Sequence, residues 1–138
     1  MSNANKPTAN QGYMQNLIRA EEVAITGIAV YFLTKYNLGL SIWIWIPLFL
    51  SPDISMLGYI RGEKTGAFWY NLFHHRGVAL VVAALGYYLH NDICTTIGIL
   101  LFAHASFDRI MDYGLKFPDS FKHTHLGWKK EKQPVAAI

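Results

Sequence analysis

Apolar residues fall into four stretches of about 20 positions, spanning residues 17–36, 40–59, 68–88 and 93–111. Each is as long as an α-helix must be to cross a hydrocarbon core of about 30 Å. No stretch alternates polar and apolar residues over its length, which sets strands aside. The links suit helical hairpins: Asn37-Leu38-Gly39, residues 60–67 with two glycines, and His90-Asn91-Asp92. Pro47 lies inside the second stretch and predicts a kink there, because proline lacks an N–H and crowds the carbonyl four residues back. Pro52 discourages Ser51 from the helical conformation, so a second break is expected beside Asp53, which could then cap the next segment or serve as a ligand.

No stretch has a charge-free run of 18 residues, so a soluble four-helix bundle is the competing architecture. A soluble bundle helix, however, opposes an apolar stripe with a charged face. Residues 41–50 and 77–86 are apolar all the way round. The expected fold is therefore all-α, a four-transmembrane-helix bundle over residues 17–128 with a short interfacial C-terminal segment. Residues 1–16 are expected to be a disordered polar lead, and nothing near the N-terminus reads as a cleavable signal. Residues 113–127 are too polar to span; Phe117, Phe121, Leu126 and Trp128 would dock them at the interface. Residues 129–138 form a basic, flexible tail.

Composition agrees. The 138-residue chain is 52% hydrophobic and 15% charged, against roughly 25% charged in a soluble domain, and its mean hydropathy is +0.19. These values exclude intrinsic disorder and argue against a coiled coil. They also argue against a nucleic-acid module, despite a pI near 9.0. One cysteine, Cys94, excludes an internal disulfide or a Cys-rich zinc site. Four spans would place Lys6, Arg19, Arg61, Lys64, Lys116, Lys122, Lys129, Lys130 and Lys132 on one side and only Lys35 on the other. The Lys/Arg bias orients both termini toward the cytoplasm. Trp43, Trp45, Tyr87 and Tyr88 would form an aromatic belt at the opposite face.

With helices running in alternating directions, the polar residues inside the four stretches all fall at the basic end. They are Glu21 and Glu22, Asp53, Asn71 with His74 and His75, and His104 with Asp108. Ionisable groups at membrane depth are expensive and so pair, face a wet cavity or bind something. Asn71 and His74 are spaced i, i+3, and His104 and Asp108 i, i+4, so each pair shares a helix face. Histidines and carboxylates on facing helices are the ingredients of a bundle metal site. Without thiolates they suit Zn, Mn or Fe. Asp53, His74, His104 and Asp108 are the candidate metal ligands. Glu21 and His125 are candidate general bases, with Asn71 and Arg109 in support. The plainer alternative is a polar network that only ties helices together, with Asn71 as interhelical glue and Asp108, Arg109, His75, His90 and Asp112 as interfacial groups.

The motifs Arg19-Ala-Glu21, Ser51-Pro-Asp53-Ile-Ser-Met-Leu-Gly-Tyr59, Gly66-Ala-Phe-Trp-Tyr-Asn71-Leu-Phe-His74, Ala103-His104-Ala-Ser-Phe-Asp108-Arg109, Tyr113-Gly-Leu-Lys116 and Phe121-Lys-His-Thr-His125-Leu-Gly127 resemble the domain of unknown function 4260 family of small bacterial integral membrane proteins. The resemblance covers about residues 17–128. Its pattern positions fall on Glu21, Asp53, Asn71, His74, His104, Asp108, Arg109 and His125, while His75, Arg76 and Asp112 depart from it. The resemblance implies a bacterial inner-membrane protein but no activity. A looser analogy links the Pro-Asp and His motifs to membrane-bound metal-dependent hydrolases.

Three functions are therefore open. One is a metal-dependent hydrolase acting on a lipid or other amphiphile at the cytoplasmic face. Another is a non-catalytic module holding an ion, a haem or a lipid headgroup, which self-association into a homo-oligomer would favour. The last is a purely structural polar cup. The lipid bilayer is the expected partner in all three, and nucleic acid in none.

Overall fold

A computed structural model describes residues 9–129. The described residues are mainly helical, with a small C-terminal hairpin. In order come α1 (Ala9–Lys35), α2 (Ile42–Leu50), a 3₁₀ helix (Ser51–Arg61), α3 (Glu63–His74), α4 (Arg76–Tyr88) and α5 (Asp92–Ile110), then two-residue strands β1 (His123–Thr124) and β2 (Gly127–Trp128). Two helical stretches are long and apolar enough to cross a membrane, Ile42–Arg61 and Asp92–Ile110, and α4 is apolar but shorter. Four full spans are thus not what length and hydropathy give.

Three expectations change. The polar lead is helical from Ala9 onward, so within the described residues 9–16 continue α1 rather than forming a disordered arm; residues 1–8 and 130–138 lie outside the described residues. The third apolar stretch is two helices, not one. His75 is extended (φ −86°, ψ 111°) and caps α4, its Nδ1 accepting from Val78 N–H at 3.3 Å. Residues 63–67, expected in a link, form the first turns of α3. Pro47 lies inside α2, and the break expected beside Asp53 is present as the change of helix type at Ser51–Pro52.

The ends of α4 and α5 show why the chain turns where it does. His90 takes the left-handed conformation (φ 51°) after α4. Asn91 N–H donates to Gly86 O at 2.8 Å and His90 N–H to Tyr87 O at 3.1 Å. This is the paired closure that satisfies the last carbonyls of a helix. Asn91 then caps α5, its side chain accepting from Cys94 N–H at 2.9 Å. Asp112 (φ 60°) closes α5 in the same way, with Tyr113 N–H on Asp108 O and Asp112 N–H on Arg109 O.

α4 and α5 form the most extensive helix pair. They meet backbone to backbone through two glycines: a Cβ on Gly98 would lie 2.2 Å from Ala83 N, and one on Gly86 2.3 Å from Thr95 N. α1 packs along α5, and Thr96 Oγ1 donates to Tyr36 O at 2.8 Å at the end away from the basic residues. Ala29, Leu33, Leu100 and Ala103 are the buried centre of this contact, with Trp45 and Phe49 packed on it. Trp45 therefore faces inward, whereas Trp43, Tyr87 and Tyr88 stand exposed. The 3₁₀ helix and α3 form a second unit, in which Gly66 lies under the Tyr59 ring.

The C-terminal segment docks on α3. Asn71 grips the Lys116 backbone at both ends, donating to its carbonyl at 2.8 Å and accepting from its N–H at 2.7 Å. Beyond it, β1 and β2 pair antiparallel, with His123 opposite Trp128. The His123 ring lies between Phe117 (4.2 Å) and Trp128 (4.3 Å) and hydrogen-bonds Asp119 at 2.8 Å. That bond holds the exposed Asp119 carboxyl below its ordinary range.

Fully buried side chains are as often polar as apolar, while Trp43, Ile60 and Tyr88 are 79%, 82% and 79% exposed. This inverts the usual distribution of a water-soluble domain.

Gly98→Val should destabilise the protein by about 1–3 kcal/mol, the range for overpacking a tight contact. Gly27→Ala, where an added Cβ meets nothing within 4 Å, should leave it unchanged. Denaturant titration of both variants, followed by circular dichroism, checks the contrast.

Candidate metal centre

Four of the predicted residues meet at one point. Asp53, His74, His104 and Asp108 each present a ligand atom, and these atoms all lie within 4.8 Å of one another. Each arrives for a local reason. Asp53 follows Pro52 in the first turn of the 3₁₀ helix; its neighbour Leu50, not Asp53, is the N-cap, so the carboxylate is left to face the site. His74 ends α3, just before the break at His75. His104 and Asp108 lie one turn apart on α5.

Both imidazoles are aimed by backbone carbonyls. His74 Nδ1 is 2.8 Å from Tyr70 O, and His104 Nδ1 is 2.7 Å from Phe49 O. A carbonyl only accepts, so each Nδ1 carries the proton and each Nε2 keeps its lone pair. Phe49 O, which accepts from His104 Nδ1, has Pro52 three residues on. In a 3₁₀ helix the donor to carbonyl i is residue i+3, and at position 52 that residue has no N–H.

The two Nε2 atoms are 3.2 Å apart, and each is 3.3 Å from Asp53 Oδ1. His74 Nε2 is 3.5 Å from Asp108 Oδ2, and His104 Nε2 is 3.7 Å from Asp108 Oδ1. Two lone-pair nitrogens and two carboxylates thus converge as acceptors. Metal–ligand distances of about 2.0–2.2 Å place the ligands of a tetrahedral ion roughly 3.3–3.6 Å from one another. The spacings that involve a histidine, 3.2–3.7 Å, bracket that range, within a group whose ligand atoms all lie inside 4.8 Å. Histidines whose second nitrogen is fixed by a carbonyl are what metal sites use to set tautomer and ring orientation. His74 and His104 are fully buried and Asp108 nearly so, while the Asp53 side chain is 38% exposed, making its side the open one.

Tyr70 is the contributor that the sequence reading missed. Its ring stacks on His74 (centroids 3.9 Å, planes 11° apart), and its hydroxyl donates to Asp108 Oδ2 at 3.3 Å. In an apolar stretch it reads as core; its spacing of four residues before His74 was the available signal. Lys116 is buried behind it, with Nζ 4.8 Å from the Tyr70 ring and bonded to Phe121 O at 2.9 Å. Burial pushes the Lys116 ammonium below the ordinary lysine range.

The remaining candidates sit elsewhere. Glu21 is exposed and lies outside the cluster. The stripe of α1 that faces inward is Glu22, Thr26, Ala29 and Leu33, and one residue of helix turns a side chain by about 100°. Glu22 is the inward acid, paired with Arg76 at 2.7 Å. Asn71 supports the site indirectly, by holding Lys116. Arg109 is buried beside the ligands and donates to Tyr113 O at 3.0 Å, closing the turn after α5. Arg19 pairs with Asp112 across that turn.

His125 also lies outside the cluster, because its ring is committed to the backbone: Leu115 N–H donates to its Nδ1 at 2.9 Å, and its own N–H donates to Leu115 O at 3.0 Å. Partial desolvation, then the neighbouring Arg109 and Arg76 charges, hold its pKa below the ordinary 6.5. A histidine that loses proton affinity on folding contributes stability fully above the unfolded value, and that contribution is lost as pH falls through the folded one. Protonation also removes the lone pair that receives Leu115. Acidification from pH 7.5 to 5 should therefore loosen the segment. Hydrogen exchange at the Leu115 amide, corrected for its intrinsic pH dependence, should accelerate, and His125→Gln should abolish the acceleration.

No curated protein matches the chain, and no solved structure does. A family model described as "Domain of unknown function (DUF4260)" matches residues 15–128, which include every residue of the cluster and of its surroundings described above. The chain belongs to that family.

Proposed function

We propose that this is a multi-pass integral membrane protein whose Asp53, His74, His104 and Asp108 bind one divalent transition ion, Zn, Mn or Fe, to hydrolyse a membrane-associated amphiphile. The observation that carries the metal is the convergence of two imidazole lone pairs and two carboxylates, whose ligand atoms lie within 4.8 Å of one another. Two carboxylates drawn together in a mostly buried site are stabilised by positive charge placed between them. Two imidazoliums with nitrogens 3.2 Å apart would repel each other, whereas one divalent ion meets all four groups at once. Such an ion lowers the pKa of water and polarises a carbonyl or phosphoryl oxygen. With Glu21 and His125 elsewhere, Asp53 and Asp108 are the carboxylates within reach to take a proton. Asp53, on the open side, is the ligand that can yield a position to substrate.

The membrane placement is supported by the exposed apolar surface, the polar interior and the two helices of spanning length. In this reading α1, the Ile42–Arg61 stretch of α2 and the 3₁₀ helix, α4 and α5 cross the bilayer. α3 and the C-terminal segment form a cap on the cytoplasmic side with Lys64, Lys116, Lys122 and Lys129, Arg61 ends the second span on that side, and Lys35 lies opposite. Both termini then lie in the cytoplasm, with a bacterial inner membrane as the setting.

A second reading is favoured by the ligand count. Four protein ligands are the pattern of structural zinc, and here they join three elements, so the ion could act only as a clasp.

Elemental mass spectrometry on protein purified without a His-tag tests the site. Near one equivalent of metal is expected in the wild type, almost none in folded His104→Ala, and an unchanged amount in Asn71→Ala. Folded wild-type protein without metal would overturn the proposal. Hydrolysis of a membrane amphiphile, lost in Asp53→Asn with metal retained, would separate enzyme from clasp.

A further inference from the structure

Arg109 follows Asp108 on α5, and one residue of helix turns a side chain by about 100°. The Asp108 carboxylate meets His74 and Tyr70 of α3. Arg109 instead lies among charges from the other side, Glu22 of α1 and Arg76 of α4. It is only 9% exposed, yet no carboxylate pairs with it among the described residues, and its hydrogen bond goes to the Tyr113 carbonyl at 3.0 Å. A guanidinium offers five N–H donors, so most of this capacity is unspent. Arginine is rarely buried without a partner.

The charges at this point do not balance. Arg19 and Glu22 are spaced i, i+3 on α1; Arg19 pairs with Asp112, and Glu22 with Arg76 at 2.7 Å. Three guanidiniums, those of Arg19, Arg76 and Arg109, thus share two carboxylates. The acids next in sequence do not supply a third: Glu21 is exposed, and Asp108 is directed at His74 and His104. His125 adds a neutral donor. Its Nδ1 accepts from Leu115 N–H at 2.9 Å, so the neutral ring carries its proton on Nε2, and no described residue accepts from that nitrogen. The ring lies in the field of Arg109 and Arg76. Arg76 also opens α4, whose first turn presents the positive end of the helix dipole.

We propose that Arg76, Arg109 and the His125 Nε2–H hold the phosphate group of an anionic phospholipid headgroup. The planar guanidinium fork matches two phosphate oxygens. Basic pockets between helices on the cytoplasmic side of a membrane are where anionic headgroups bind, and this one lies at the basic end of α1, α4 and α5. The site is across α5 from the metal centre and does not depend on the metal. The lipid as the source of the phosphate rests on the membrane placement; inorganic phosphate offers the same oxygens without it. Glu22 is a built-in competitor, because its carboxylate occupies Arg76.

The test titrates the full chain in detergent, by calorimetry, with three probes: dioctanoyl phosphatidylglycerol, dioctanoyl phosphatidylcholine and inorganic phosphate. The phosphatidylglycerol should bind saturably and at least tenfold more tightly than either of the others. Arg109→Gln should weaken it at least tenfold. Glu22→Gln should tighten it severalfold by releasing Arg76, with metal content unchanged; a salt bridge with a purely structural role would not produce a gain. Equal affinity for the two lipids overturns the proposal, since tails alone would then be recognised, and equal affinity for inorganic phosphate overturns the lipid as its source. Weaker or unchanged binding in folded Glu22→Gln, or no saturable binding in folded wild type, overturns the site. Flotation of the same preparation with vesicles separates the two readings. A chain that fails to float overturns the membrane placement, whereas one that floats without preferring the anionic lipid overturns this site alone.

Discussion

Two carbonyl oxygens govern the site. Those of Phe49 and Tyr70 each take the Nδ1 proton of a histidine, and so both imidazoles turn their lone pairs inward to a common point. One of these carbonyls belongs to the residue just before α2 gives way to the 3₁₀ helix, the other to the last turn of α3. The site therefore exists only when α2, α3 and α5 are in register. The proline at position 52 stands in the first turn of the 3₁₀ helix beside Asp53 and has no N–H to compete with His104 for Phe49 O. A helix running uninterrupted through this point would satisfy that carbonyl within its own ladder and turn His104 loose.

Around this point the molecule is built from small residues and polar ties rather than a large apolar core. Gly86, Gly98, Ala79 and Ala83 let α4 and α5 approach to backbone contact, the packing that serves where hydrocarbon surrounds a bundle and burying more of it gains little. The C-terminal segment is attached mainly by hydrogen bonds, through Asn71 on Lys116 and His125 on Leu115. It brings the buried Lys116 ammonium to 4.8 Å from the Tyr70 ring.

The four clustered residues were legible in the sequence because four apolar stretches read in alternating directions put Asp53, His74, His104 and Asp108 at one end, and periodicity pairs the last two. The split after His74 was not legible. An apolar run continues through Leu72-Phe73 and resumes at Val78, and only the extended backbone of His75 separates the helices. Glu21 and Glu22 are adjacent, and which of them faces inward depends on the rotation of α1 against α5, which packing at Thr26, Ala29 and Leu33 fixes. His125 lies in a polar segment whose β pairing two-residue strands cannot announce, so its commitment to Leu115 emerges only in three dimensions. Tyr70 was hidden for the opposite reason: its ring suits the core, and its hydroxyl reveals a role only beside Asp108.

The shortness of α4 has a consequence for the surrounding lipid. Its 13 residues rise about 20 Å, well below a hydrocarbon thickness of about 30 Å. A bilayer in contact with such a helix relieves the mismatch by thinning locally. Because α4 begins immediately after His74, the thinned leaflet would bring its ester layer down toward the depth of the cluster. On the membrane reading, the protein need not lift a lipid out of the bilayer to reach its headgroup linkage; the bilayer would be drawn to the site by the length of one helix.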